Sequence, residues 1–272
     1  MKTTPVGLLV ALLVVGALLT AGCTSTQSGT LPAAENGTES LLVYAGAGLK
    51  APMQEIGQAF TQKHGTEVRY TFAGSGVLIS QMNLTRKGDV FVPGSTVEYA
   101  AAEAQGLVAG SRLVAYHVPV IAVQKGNPRN IGSLRDLAQP NLKVALGDVN
   151  ATAIGKSGAK MFRRLDITDA VEKNVVTRTP TISELTVYMT LGMADAAVLT
   201  LDQVDPAKLD AVPIPASENE VLIVPAGTTT FTANPGDADA FAAFVASDEG
   251  KAIFAKHGFP AYPDPQYANV TP

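Results

Sequence analysis

An apolar run that ends in a glycine loop and passes straight into a helical pattern constrains a fold strongly, and this sequence contains that unit twice. The first copy is LLVYAGAGLKAP, from Leu41 to Pro52, and the second is YTFAGSGVLISQM, from Tyr70 to Met82. Strand, tight turn and helix is the repeating piece of a parallel sheet, because a parallel neighbour is reached only through a crossover. Gly46 and Gly74 lie 28 residues apart. That spacing predicts adjacent strands in one sheet, with the two loops side by side.

Gly46, Gly48 and Ala51 spell G-x-G-x-x-A, the pattern of a dinucleotide-binding turn. Such a site needs an acidic residue at the end of the second strand to hold the ribose. That strand ends TFAGSG, and Glu67 stands at its beginning, so the nucleotide reading fails. Two loops of this kind offer something else. Glycine lets a ligand approach the backbone. The first N–H groups of a helix have no internal partner, and the helix dipole makes that end positive. A helix start is therefore an anion site that needs no Lys or Arg. Ser75 adds a hydroxyl that can turn its proton toward an oxygen.

The chain continues in the same style. APMQEIGQAFTQKHG places Met53, Ile56 and Phe60 at helical spacing, with Pro52 near its first turn and Gly65 as a stop. EVRYTFA and DVFVPG read as strands, and TVEYAAAEAQG as a helix ending at Gly106. A second unit begins near YHVPVIAVQKG. It holds a strand from Leu142, a helix over AIGKSGAKMFRRLD, another over ISELTVYMTLGMAD and a buried strand AAVLTL. Thr181 or Ser183 caps the later helix, with Glu184 close behind. VLIVPAG and two last helices return to the first unit. The expected organisation is a first lobe of residues 41–117 plus 220–272 and a second lobe of 118–219. A ligand would sit in the cleft between them, at strand ends and helix starts.

The amino terminus is a processing segment. Lys2 precedes the apolar run VGLLVALLVVGALL, which is short for a membrane span. TAGC follows, with the single cysteine at Cys23. Residues 1–22 are thus expected to be a signal peptide, Cys23 to be lipidated, and the polar stretch to residue 40 to be a flexible tether. Thr20 stands where a lipobox usually carries leucine. The expected product is exported and anchored to the outer face of the cell membrane. The sequons at Asn36, Asn83, Asn150 and Asn269 are open to glycosylation in such a protein.

Composition narrows the functional classes. At 46% hydrophobic and 16% charged residues, the chain reads as globular and soluble. A net charge of −4 with no basic stripe argues against nucleic acid. No H-E-x-x-H, G-x-S-x-G or Cys/His pair is present, so no catalytic residue is assigned. His64, His117 and His257 are expected at helix ends or loops, and Asp89, Asp148 and Asp195 as caps rather than metal ligands. No directly coordinated metal and no cofactor are expected.

In order and spacing, YAGAGLKAPMQEIGQAFTQKHGTEV, FAGSGVLISQM, GDVFVPGS and GKAIFAKHGF resemble the periplasmic molybdate- and tungstate-binding proteins of ABC importers. The resemblance covers about Leu41 to Tyr262. It implies an α/β fold of two lobes, each a mostly parallel sheet flanked by helices, that acts as a monomer and closes on a tetrahedral oxyanion. It also implies delivery to a permease and its ATPase. Family donors fall at Ala47 and Gly48 in the first loop, Gly74 and Ser75 in the second, Ala153 and Ile154, Ile182, and Thr200. Two positions depart from the pattern: Gly48 stands where the family has a serine, and Thr200 where it has a tyrosine. Molybdate or tungstate is the expected ligand, with sulfate or another small anion as the alternative. A donor-only cavity favours a fully ionised dianion over protonated phosphate, and selection against sulfate must come from size.

Overall fold

Ser40 opens the first strand of the computed structural model, which describes residues 40–272; the leader, Cys23, most of the tether and Asn36 lie outside the described residues. Strand β1 (Ser40–Gly46) passes through a tight helical turn, Ala47–Leu49, into α1 (Lys50–His64). β2 (Glu67–Ala73) feeds α2 (Ser75–Thr85), and β3 (Val90–Val92) feeds α3 (Thr96–Glu103). β4 (Val108–His117) and β5 (Pro119–Gln124) follow, with only Val118 between them. Next come β6 (Val144–Gly147), α4 (Ala153–Arg164), α5 (Thr168–Glu172) and β7 (Val175–Thr179). α6 (Ile182–Thr190), β8 (Ala196–Thr200) and β9 (Leu209–Pro213) complete that half. β10 (Leu222–Thr229), α7 (Pro235–Val245) and α8 (Asp248–Lys256) close the chain, apart from a short C-terminal tail.

The strands form two five-stranded sheets, ordered β2-β1-β3-β10-β4 and β7-β6-β8-β5-β9. Each is mixed: β10 in the first and β5 in the second run against their neighbours, and the rest point one way. β1 pairs with β2 in parallel, Gly46 opposite Ala73, so the two glycine loops leave the same edge together. The second sheet repeats the arrangement. β6 and β7 are parallel neighbours, Gly147 opposite Thr179, and they feed α4 and α6. Each sheet thus sends two adjacent helix starts from its carboxyl edge.

Burial explains why these segments take these shapes. Met53, Ile56 and Phe60 of α1 are fully buried, and the helix stops where Gly65 turns left-handed at φ 78°. They join Phe241 and Val245 of α7 and Phe254 of α8 on one face of the first sheet. Leu78 and Met82 of α2, with Tyr99 and Ala102 of α3, cover the other face. The second sheet has a core of its own, built on Val144, Val198, Leu185, Met161 and Phe162.

The apolar run YHVPVIAV is not one strand. Tyr116 and His117 finish β4 in the first sheet, and Pro119 starts β5 in the second. His117 is therefore a strand residue at the crossing between sheets, 4% exposed, and not the helix-end or loop residue that its sequence context suggested. His64, in the last turn of α1, and His257, at the C-cap of α8, sit at helix ends as expected.

Candidate functional site

Four helix starts meet where the carboxyl edges of the two sheets face each other. In the first lobe, neither the turn at Ala47 nor α1 nor α2 is capped by a side chain, since Gly46, Leu49 and Gly74 precede them. No side chain therefore caps their leading N–H groups, although Lys50 N turns back to Ala47 O and Gly76 N is taken by the other lobe. In the second lobe the caps are present. Thr152 Oγ1 accepts from Gly155 N at 3.0 Å, and Thr181 Oγ1 accepts from Glu184 N at 3.1 Å. Thr181 Oγ1 also donates to the Glu184 carboxylate at 2.9 Å. Each cap serves the N–H three residues on, so those of Ala153, Ile154 and Ile182 keep no intrahelical acceptor.

The lobes meet closely at the glycine loops. Gly76 N donates to Ala151 O at 3.1 Å, Ser183 Oγ to Ala47 O at 3.2 Å, and Gln203 Nε2 to Gly48 O at 3.1 Å. A Cβ at Gly74 would lie 2.5 Å from the carbonyl oxygens of both Ala151 and Pro180, and one at Gly76 would lie 2.2 Å from Asn150 O. A Cβ at Gly48 would lie 2.7 Å from the Ile182 Cγ2 methyl. These glycines are thus required less by turn geometry than by the other lobe, whose backbone occupies the space of a side chain.

Between these contacts lies a cavity of about 30 Å³. One water needs at least about 10–15 Å³ on this scale, so the space suits a compact group of a few heavy atoms rather than a sugar or peptide. Ala47, Gly48, Gly74, Ser75, Ala153, Ile154 and Ile182 all line it, joined by Gly94, Thr152 and His117. Ser75, Thr152 and His117 supply its polar side chains. Ser75 is 3% exposed, and its Oγ accepts from Gly94 N at 3.1 Å. With an acceptor position occupied, the hydroxyl proton is directed elsewhere. Thr152 Oγ1 donates to Asp148 O at 2.8 Å while capping α4, so both of its roles are structural.

Thr200 does not line the cavity. It is fully buried behind His117, with its Oγ1 2.9 Å from His117 Nε2. The imidazole sits between the lobes: Nδ1 is 3.3 Å from Gly94 O, and Nε2 is 3.3 Å from Asp202 Oδ1. The Asp202 side chain is 2% exposed. Burial alone would lower the His117 pKa, but the Asp202 charge, its hydrogen bond and the Gly94 carbonyl together outweigh that, and the net direction is upward. Sequence reasoning did not find His117 or Asp202 as site residues. The partners of the ring stand 23, 83 and 85 positions away, and the one local signal was a histidine closing an apolar run.

On the rim, Lys156 Nζ of α4 stands 2.9 Å from Glu98 Oε1 of α3, which joins the two lobes. Glu98 is 1% exposed and its other oxygen accepts from Ser95 Oγ. The ammonium approaches Oε1 as a charge contact without a directed hydrogen bond. Asp148 and Asp195 shape loops by accepting backbone N–H groups, from Asn150 and Ala151 and from Lys143; Asp89 accepts from Leu42 N. Among the described residues no group of three or more His, Cys, Asp or Glu could hold a metal ion, and no described helix is long and apolar enough to cross a membrane.

Two sheet-centred lobes joined by crossing strands, with helix starts converging on a small interlobe cavity, define a protein that closes around a small solute. Residues 41–260 match the bacterial extracellular solute-binding protein family, and the chain belongs to it. It is 30% identical to a binding protein of Haemophilus influenzae over 80% of this chain and 90% of that one. It is 28% identical to the molybdate-binding protein ModA of Mycobacterium bovis over 93% and 96% of the two chains. Its fold is similar to that of the sulfate-binding protein SubI of Mycobacterium tuberculosis, with a TM-score of 0.74 at 19% identity, over 86% and 92% of the two chains.

Proposed function

We propose that this protein is the solute-capturing component of an ABC importer, that it closes on a tetrahedral oxyanion, molybdate or tungstate, and that it hands the anion to a membrane permease driven by its ATPase. The observation that carries the reading is the convergence of four helix starts and the Ser75 hydroxyl on one cavity of about 30 Å³. Every N–H at a helix start is a donor, and the dipoles add positive potential there. A dianion that only accepts hydrogen bonds suits such a wall.

In this reading the N–H groups of Ala47, Gly48, Gly74, Ser75, Ala153, Ile154 and Ile182, with the Ser75 hydroxyl, surround the anion. Thr200 would act only through His117, which stands in front of it. Closure would bring residues 118–219 against residues 41–117 and 220–272, and would present the permease with a liganded shape. Lipidated Cys23 would hold the protein at the outer face of the membrane through the tether. A Cys23→Ser change should then move the protein from the membrane fraction to the soluble one; unchanged fractionation would remove the anchor.

Similarity to a sulfate-binding fold keeps sulfate as a second reading. Calorimetric titration with molybdate, tungstate, sulfate and phosphate separates the two. Tight binding of the larger oxyanions with weak sulfate supports the first reading. A preference for sulfate replaces it, and no binding of any of the four overturns the oxyanion assignment.

A further inference from the structure

We infer that His117 is a positioning residue of the anion site: held as an imidazolium between Gly94 of one lobe and Asp202 of the other, it fixes Ser75 and the closed lobes, so that anion capture weakens as pH rises. The inference rests on the oxyanion reading above and adds a charge to a site otherwise built from neutral donors.

The argument begins with the two ring nitrogens. Gly94 O can only accept, so Nδ1, 3.3 Å away, must carry a proton. Nε2 faces Thr200 Oγ1 at 2.9 Å and Asp202 Oδ1 at 3.3 Å. A neutral ring would take the Thr200 hydroxyl proton on Nε2 and leave the Asp202 carboxylate, whose side chain is 2% exposed, with no counter-charge on the ring 3.3 Å away in a low-dielectric setting. A second proton makes Thr200 Oγ1 the acceptor instead and gives Asp202 that counter-charge. Asp202 is the charged group that faces the ring; Phe259, with centroids 5.2 Å apart, the Gly94 loop and Thr200 bring no further titratable group against it.

From this pair, hydrogen bonds run to both glycine loops. Gly94, held through its carbonyl by His117, donates its N–H to Ser75 Oγ at 3.1 Å and so leaves the Ser75 proton for the cavity. Asp202 Oδ2 accepts from Gln203 Nε2 at 2.7 Å, and the same amide donates to Gly48 O at 3.1 Å. Loss of the His117 proton would loosen the interlobe contact and the orientation of Ser75 together. The sign follows from the raised pKa: the stabilisation is complete below the ordinary imidazole pKa of about 6.5 and disappears as pH climbs through the higher value of the closed protein.

Two measurements on the full chain decide the matter. In nitrogen-15 spectra, with the His117→Gln variant used for assignment, both ring nitrogens of His117 should stay mostly protonated at pH 6.5, the ordinary imidazole midpoint, and Asp202→Asn should move the deprotonation to lower pH. A ring that is already mostly singly protonated at pH 6.5 overturns the inference. In molybdate calorimetry from pH 6.5 to 9.5, wild-type affinity should fall by up to about tenfold per pH unit above that pKa. His117→Gln, which keeps a donor for Gly94 but no charge, should bind more weakly at pH 6.5 and change little with pH. Equal pH slopes in the two proteins also overturn it. If the wild type binds none of the oxyanions, the functional reading has failed, and the spectra still decide the charge of His117.

Discussion

Ser75 and the glycines around the cavity do different work, and substitutions separate them. Ser75→Ala removes one donor to a charged ligand and leaves Gly94 N without its acceptor. Hydrogen bonds to charged groups contribute about 1.5–3 kcal/mol, so anion affinity should fall about ten- to one-hundred-fold by calorimetry; unchanged affinity would remove Ser75 from the site. Gly74 sits at φ −63° and ψ 142°, which any residue adopts, so Gly74→Ala should leave the melting temperature of the anion-free protein nearly unchanged. Its Cβ meets two carbonyls of the other lobe at 2.5 Å, so the same change should abolish tight binding by blocking closure. Gly48→Ser restores the serine of the resembled family but drives its Cβ against Ile182 at 2.7 Å. It should weaken binding alone and recover it when combined with Ile182→Ala. The glycine loops were plain in the sequence. Their reason was not, because it lies in residues 74 to 134 positions away in the second lobe.

At the level of elements, segments with a buried face at one period were legible, and three of the four edge strands were not; edge strand β2 was read because its EVRYTFA run alternates. α1 shows its stripe at Met53, Ile56 and Phe60, and central β1 and β8 are short runs buried on both faces. β4, β7 and β9 are largely at sheet edges and half exposed, so their apolar signal is diluted. VAGSRLVAYH even carries Gly110 at φ 69°, a turn residue by sequence. Without β7, the second pair of helix starts could not be seen as a copy of the first. The sequence left the α6 cap open between Thr181 and Ser183. The structure divides the roles: Thr181 caps the helix, and Ser183 reaches across the cleft to Ala47. Thr181→Ala should therefore cost about 0.5–2 kcal/mol of stability. At about 2–4 °C per kcal/mol for a domain of this size, a thermal melt will resolve it. Ser183→Ala should leave the melt of the anion-free protein unchanged and act on binding.

For the whole molecule, anion affinity is the sum of contacts to the anion and the free energy of bringing two lobes together, so residues that never touch the ligand can tune it. Glu98 and Lys156 are such residues. Glu98 is desolvated where the lobes meet, at 1% exposure, and Lys156 approaches it from the opposite lobe with 41% of its side chain in solvent. Removing the lysine alone leaves a carboxylate that must lose water on closure without compensation. For fully buried pairs that penalty is about 3–5 kcal/mol; the exposed lysine reduces it here to about 1 kcal/mol, within the range of surface pairs. Lys156→Met should thus weaken anion binding about fivefold, and measurement at high salt separates this from long-range attraction, because the Debye length falls to about 3 Å at 1 M. Removing both charges in Glu98→Gln with Lys156→Met should restore most of the affinity, since no stranded charge remains. If the single and double variants bind alike and more weakly than wild type, the lysine acts on the anion itself and not on closure.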